Sequence, residues 1–307
     1  MKLVDQDIPG PKRDYVGYGR RPPRVVWPNE AKVAVNIVVN YEEGSEYSMA
    51  AGDGRNEGLA EINYTMDPQY RDLCAESVYE YGSRAGIWRL MRVFDEYDVK
   101  STFFACAVAL ERNPEVAQWL RESGHEPCSH GWRWEEHWLL DRETERQHIR
   151  WAIDSIEKSC GERPLGWYCR YGASVNTREL VVEEGGFLYD ADAYNDDLPY
   201  FVEVQGKRHL VVPYSLDLND VRFVMAQGYS SGRDFLDDAV ATFDRLRREA
   251  ERTGTARMMS IGTHPRLFGR PARAEALARF IEYAQRTGDA WFARRDEIAR
   301  FWLERFE

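Results

Sequence analysis

Cys128–Ser129–His130–Gly131–Trp132–Arg133–Trp134 is the stretch on which the fold turns. It follows 114–126, which reads as a helix closed by Gly124 and then a short strand. A histidine that stops a strand, followed by Gly and tryptophans, suits either a pocket wall or a packed aromatic core. Two other stretches have the same build. Val38–Val39–Asn40–Tyr41–Glu42–Glu43 and Ser260–Ile261–Gly262–Thr263–His264–Pro265 are short apolar strands that end in ionisable groups. Three strand ends carrying Glu, His and His predict one mouth of an α/β barrel, where catalytic groups collect.

Outward from these stretches, strand and helix patterns alternate. Strands are expected at 31–40, 101–106, 126–130, 164–169, 187–190, 209–214, 257–262 and 290–292. Helices are expected over 87–94, 114–123, 141–160, 176–184, 234–251 and 272–286, with Asp141 as an N-cap and Gly161 as a stop. Residues 44–75 read as a long irregular loop, a kind of segment that is usually functional or disordered. Residues 1–30, rich in Pro, Gly and Arg, read as an arm that packs on the body or on a neighbouring subunit. The remainder, 31–307, reads as a single barrel domain with no repeat or linker.

With 43% apolar residues in 307, the chain can bury one large core. Its net charge of −11 argues against nucleic acid and anionic membrane surfaces as partners, since both recruit basic patches. Five cysteines without a CxxC pair, and no apolar run near ~18 residues, predict a reduced, cytoplasmic setting. Tyr, Arg and Met residues in 13–23 and 44–75 would be poorly buried in a monomer, which predicts a homo-oligomer.

The order of the motifs resembles the polysaccharide deacetylase superfamily. There an acidic pair ends the first strand, His-x-x-x-His ends a later one, and a Leu-x-x-His-like motif lies near the C-terminus. The resemblance implies a distorted, TIM-like (β/α) barrel of the NodB-like type. Metal-dependent members hold a divalent ion with one carboxylate and two histidines. This chain has Glu42–Glu43 in place of two Asp, and Trp134 four residues after His130. An indole cannot ligate a cation, so one of the three ligands is missing.

The chain is more similar to the branch that contains cofactor-independent allantoinases and related cyclic amide or imide hydrolases. The residues that carry this are 13–20, 40–44, 79–86, 129–134, 181–190, 196–200 and 264–271. The branch implies no cofactor, no metal and a tetramer. The run Cys169–Arg170–Tyr171–Gly172–Ala173–Ser174–Val175–Asn176–Thr177 departs from the Gly-Arg-Thr-Ser-Pro-Asn-Thr-like run expected of allantoinases. Allantoin and other cyclic amides or imides therefore both stand as substrates.

Without a metal, hydrolysis depends on a general base and positioned hydrogen bonds, and electrophilic ring carbonyls suit such a site. Glu42 is assigned as the base that activates water, with His264 as the acid that protonates the departing ring nitrogen. Glu43 either orients a histidine or serves as the base instead. His130, Trp134 and Asn40 orient substrate or hold the oxyanion, and Arg170 pairs with substrate oxygens. Tyr81 and Arg84 complete the candidate substrate contacts, although Arg84 also suits an ordinary helix-start ion pair. His125 should face away from His130, and Cys128 reads as a buried thiol. The rival functions are a metal-dependent carbohydrate N-deacetylase and a non-catalytic small-molecule binding barrel.

Overall fold

The structure, a computed structural model, describes residues 8–59, 61 and 66–306. The start of the arm (1–7) and part of the long loop (60, 62–65) lie outside the described residues. Nine strands are present among the described residues: β1 (Val33–Tyr41), β2 (Thr102–Ala105), β3 (Glu126–Ser129), β4 (Gly166–Trp167), β5 (Tyr189–Asp190), β6 (Tyr200–Val204), β7 (Lys207–Val211), β8 (Arg257–Thr263) and β9 (Ala290–Phe292). They form one sheet in the order β6-β7-β5-β4-β3-β2-β1-β8, with β9 on β1. β8 lines one edge of β1 over Val33–Val39, so β9 takes the other edge at Val33–Val35, below the β2 pairing that begins at Val38. The sheet curls into a half-barrel.

The apolar run of β1 suits a strand covered on both faces. Val33, Val35, Ile37, Val39 and Tyr41 pack outward with helix residues such as Ile87, Leu90 and Phe280. Ala34 and Val38 face inward with Phe104, Cys128, Tyr168 and Tyr214. This period-two alternation carries on past the strand and separates Glu42 from Glu43. Side chains, instead of a ladder, draw the two ends of the sheet together. Tyr214, just past β7, accepts from Asn40 (3.4 Å) and Asn219 (3.0 Å), and Asn219 bridges to Gly262 of β8. A Cβ at Gly262 would lie 2.0 Å from the Tyr214 Oη, so this seam requires glycine. Below it, the buried Arg295 reaches Asn36 (3.1 Å), Ser260 (3.2 Å) and the carbonyls of Val212 and Pro213.

Several elements differ from the sequence expectation. Residues Leu73–Tyr81 are helical, N-capped by Asp72, although only Ala75 and Tyr79 are buried and the apolar stripe is correspondingly faint. The short helix Ala107–Arg112 and the C-terminal helix Arg295–Phe306 are further additions. β6 is also unforeseen, and it pairs antiparallel with β7. The expected strand at 209–214 moves back to Lys207–Val211, and that at 164–169 shrinks to Gly166–Trp167. The arm packs on the body at Trp27, whose ring meets Trp291 (5.6 Å) and Phe301 (4.8 Å). Among the described residues no helix is long and apolar enough to cross a membrane.

A π-helical turn, Gly82–Gly86, leads into the helix Ile87–Glu96 and lies directly against the segment after β8. A Cβ on Gly86 would sit 2.0 Å from the Pro265 carbonyl oxygen, and one on Gly82 would sit 2.2 Å from Glu43 Oε1. Gly86→Ala should therefore displace the Pro265 backbone and cost roughly 1–3 kcal/mol, the usual penalty of overpacking. Gly58→Ala meets nothing within 4 Å and is the control, expected within about 0.5 kcal/mol of the parent. Urea unfolding of the two variants beside the parent checks both.

Candidate functional site

The ends of β1, β3 and β8 bring Glu42, His130 and His264 to one mouth, as their strand-end positions predict. Glu42 Oε1 lies 3.3 Å from His130 Nε2 and 3.4 Å from His264 Nε2. All three side chains are buried. His130 Nδ1 is 3.0 Å from the Tyr168 carbonyl, which can only accept, so Nδ1 carries a proton and Nε2 faces Glu42. His264 Nδ1 is 2.6 Å from Asp220 Oδ1. Asp220 Oδ2 accepts from the backbone N–H groups of His264 (2.7 Å) and Phe268 (3.1 Å). The turn Asp220–Phe223 is itself capped by the Asn219 side chain.

These contacts set the charges. Burial works against ionised Glu42, but His264, Arg266 and the His130 contact outweigh it and hold the carboxyl well below its usual range. Burial likewise opposes a charged His264, yet Glu42 and Asp220 raise it to about 10. The mouth thus holds a buried carboxylate against a buried imidazolium.

Glu43 is used differently. Its Oε1 accepts from the Arg266 backbone N–H (3.1 Å) and its Oε2 from the Glu42 N–H (3.2 Å). Burial pushes Glu43 up to about 7, with Arg266 pulling the other way and Glu42 adding to the rise. Arg266 Nη1 donates to Glu42 Oε2 at 2.9 Å. Its guanidinium lies 4.8 Å from the Tyr79 ring centroid and 5.6 Å from that of Trp134. Arg170 stacks at 3.8 Å on Trp134 and is held by both oxygens of Glu57 (2.7 and 3.0 Å). The 44–59 segment covers the mouth: Trp134 N donates to the Ser45 carbonyl (3.2 Å), and Arg133 grips Asp53 (2.7 and 2.8 Å).

Of the expected contacts, Glu42, Glu43, His130, His264, Trp134 and Arg170 gather here. Asn40 lies one inward step below, its amide spent on Tyr214 and the Thr263 carbonyl (3.2 Å), so it braces the seam. Arg84 is a correction: its exposed side chain pairs with Glu80 (4.0 Å) on the helix surface. Tyr81 is another, with its hydroxyl held by Gly269 (3.2 Å) and Arg89 (2.8 Å). The aromatic that the same helix turns toward the mouth is Tyr79. His125 faces outward and accepts from Ser101 N (3.0 Å), while His137 pairs with Glu145 (3.1 Å). Cys128 is buried in the interior, where desolvation holds its thiol well above the ordinary range.

Sequence reasoning missed Asp220 and Arg266. Asp220 lies 44 residues before His264 in an unremarkable turn, without a local signal. Arg266 did carry one, being an arginine two residues past the strand-end histidine.

The metal-binding set of the related enzymes does not fit this mouth. Position 134 supplies an indole, and both oxygens of Glu43 are taken by backbone N–H groups. The His264 ring is held protonated between two carboxylates. Among the described residues no group of three or more His, Cys, Asp or Glu is arranged to hold a metal ion.

A histidine raised from 6.5 to about 10 stabilises the fold fully below about pH 6.5, and this contribution is lost as pH climbs through 10. Asp220→Asn removes one of the carboxylates that raise it. The imidazole of His264 should then titrate at lower pH, as followed by NMR of labelled histidine. Unfolding free energy should also fall less steeply between pH 7 and 10 in the variant than in the parent.

Residues 71–189 match the polysaccharide deacetylase family. A Schizosaccharomyces pombe protein that carries the name polysaccharide deacetylase is 37% identical over 94% of this chain and 96% of its own length. A Pseudomonas aeruginosa PAO1 crystal structure assigned as a polysaccharide deacetylase superposes with a TM-score of 0.92 at 46% identity, covering 96% of this chain and 98% of that one. The crystal structure of PuuE allantoinase gives a TM-score of 0.92 at 46% identity over 99% of both chains. With near-full-length identity of this order, and the strand-end Glu and His residues in one mouth, the chain belongs to the polysaccharide deacetylase family.

Proposed function

We propose that this protein opens the ring C–N bond of a small cyclic amide, an allantoin-like ureide or a cyclic imide, by general acid–base attack of water. The observation that carries the proposal is the buried Glu42–His264–Asp220 chain, which sets an ionised base against a protonated acid. The likeness to PuuE allantoinase along both chains supports the choice of a cyclic amide. Glu42 is favoured over Glu43 as the base because both Glu43 oxygens are occupied by backbone donors.

In the proposed reaction Glu42 takes a proton from water as the water oxygen bonds to the carbonyl carbon. The carbonyl π electrons move to oxygen and return as the C–N bond breaks. His264 Nε2 gives its proton to the departing ring nitrogen. This transfer removes the positive charge that depressed Glu42, so Glu42 holds the proton it has already taken more firmly until it is passed on. The protonated Glu42 then faces a neutral imidazole 3.4 Å away, and returning the proton resets the pair. Strained or imide-type carbonyls suit such a site better than an unactivated acetamide.

A second reading, carbohydrate N-deacetylation, follows from the names borne by several relatives. A turnover panel of allantoin, hydantoin, dihydrouracil, succinimide, maleimide and an N-acetyl sugar, with and without chelator, separates the two. Ring opening that is insensitive to chelator is expected; deacetylation of the sugar alone, abolished by chelator, would favour the second. Glu42→Gln should lower turnover of the best ring substrate by roughly 10²–10⁴-fold, the usual worth of a general base, with little change in affinity.

A further inference from the structure

We infer that Arg266 is the resident cation of this mouth, its guanidinium binding and polarising the scissile carbonyl oxygen where related enzymes use a divalent ion. The inference rests on the cyclic amide hydrolase reading above and supplies the positive charge that reading lacks.

The support is geometric. Arg266 is a buried cation in direct contact with the base, through Nη1 to Glu42 Oε2 at 2.9 Å. A guanidinium carries five N–H donors in a fixed plane. One of them, Nε–H, is buried without a hydrogen-bond partner. Glu61 Oε1, 3.3 Å away, is ion-paired with Nε without a hydrogen bond, so a substrate oxygen takes up this donor by displacing Glu61. An unmet buried donor beside a catalytic carboxylate is what a carbonyl oxygen would satisfy. The Tyr79 and Trp134 rings lie near the guanidinium, 4.8 and 5.6 Å from it, an aromatic setting that favours a cation. Its backbone is pinned by Glu43 Oε1 (3.1 Å), which ties the segment after β8 to the end of β1. One rigid fork can therefore hold the base at Nη1 and receive the developing oxyanion at Nε, with no metal between them. The same charge makes the mouth hostile to a divalent ion at Glu42, a second barrier besides the missing donor at Trp134.

In the balanced step, the electron pair displaced from the carbonyl π bond comes to rest on the oxygen facing Arg266. It returns to re-form the carbonyl as the ring nitrogen leaves with the His264 proton. Arg266 loses no proton at any stage.

The experiment compares Arg266→Met, Arg266→Ala, Arg266→Lys, Trp134→His and the Arg266→Met/Trp134→His double variant with the parent. Arg266→Met should lower kcat by roughly 10²–10³-fold, the measured range for loss of an oxyanion donor, while KM moves far less. Millimolar guanidinium ion should restore part of the loss in Arg266→Ala, where it leaves the parent unchanged. Arg266→Lys keeps the charge but not the fork, should fold, and should retain an intermediate kcat. Calorimetric titration with zinc gives a readout independent of turnover: the parent and Trp134→His should bind none, and the double variant should bind. Unchanged kcat in Arg266→Met, zinc binding by the parent, or zinc binding by Trp134→His as tight as by the double variant would each overturn the inference. If the parent opens no cyclic amide, the hydrolase reading fails on its own, and the zinc comparison still decides whether Arg266 stands in for the metal.

Discussion

Everything at the mouth depends on one buried negative charge, that of Glu42. A carboxylate taken out of water is tolerated only when it is surrounded by opposite charge and donors. Here those partners come from two other strand ends, with His130 beyond β3, and His264 and Arg266 beyond β8. The requirement works in both directions. Glu42 keeps His264 protonated, and His264 keeps Glu42 ionised. Removing one partner of such a pair leaves the other charge buried and alone, a loss of about 3–5 kcal/mol by the usual measure. The electrostatics of the mouth and the register of β1 against β3 and β8 are thus one constraint.

The scaffold beneath isolates that constraint from the barrel floor. Tyr214, Asn219 and Gly262 form a seam of short contacts in place of a continuous ladder, and Asn40 joins it from β1. Asn219 also caps the turn that carries Asp220. The residue that closes the sheet therefore sets the anchor of His264. Lower down, Arg295 satisfies a separate group of carbonyls and amides with no contact to Glu42.

Sequence reveals what local rules govern. Helix 114–123 and strand 290–292 have the bounds expected of them, because Pro114, Gly124 and a short aromatic run mark them. The three strand ends were legible because each pairs an apolar run with an ionisable stop. Leu73–Tyr81 and the β6 hairpin strand were not, since each is half exposed and lacks the stripe that marks a buried element. The Asp220–His264 pair was invisible for a different reason: it exists only once the chain between them has wound round the sheet. Arg84 and Tyr81 misled because motif membership does not say which side of a helix faces inward. Tyr79, two residues before Tyr81, is the one that the helix buries.

The sequence left the choice between Glu42 and Glu43 open, and strand geometry separates them. Consecutive residues at the end of β1 point to opposite sides. Glu42 continues the inward row of Val38 and Asn40 and meets two imidazoles and a guanidinium. Glu43 continues the outward row of Val39 and Tyr41 and meets backbone N–H groups and the Cα of Gly82, which has no room for a side chain. One glutamate is held ionised and the next is pushed up to about 7, a difference made by environment alone. The outward glutamate then acts as a brace: by gripping the backbone of Arg266 and Glu42 together, it fixes the cation at the distance where it can serve its neighbour. In this mouth a second carboxylate that would otherwise suit a metal ion instead holds an arginine in place.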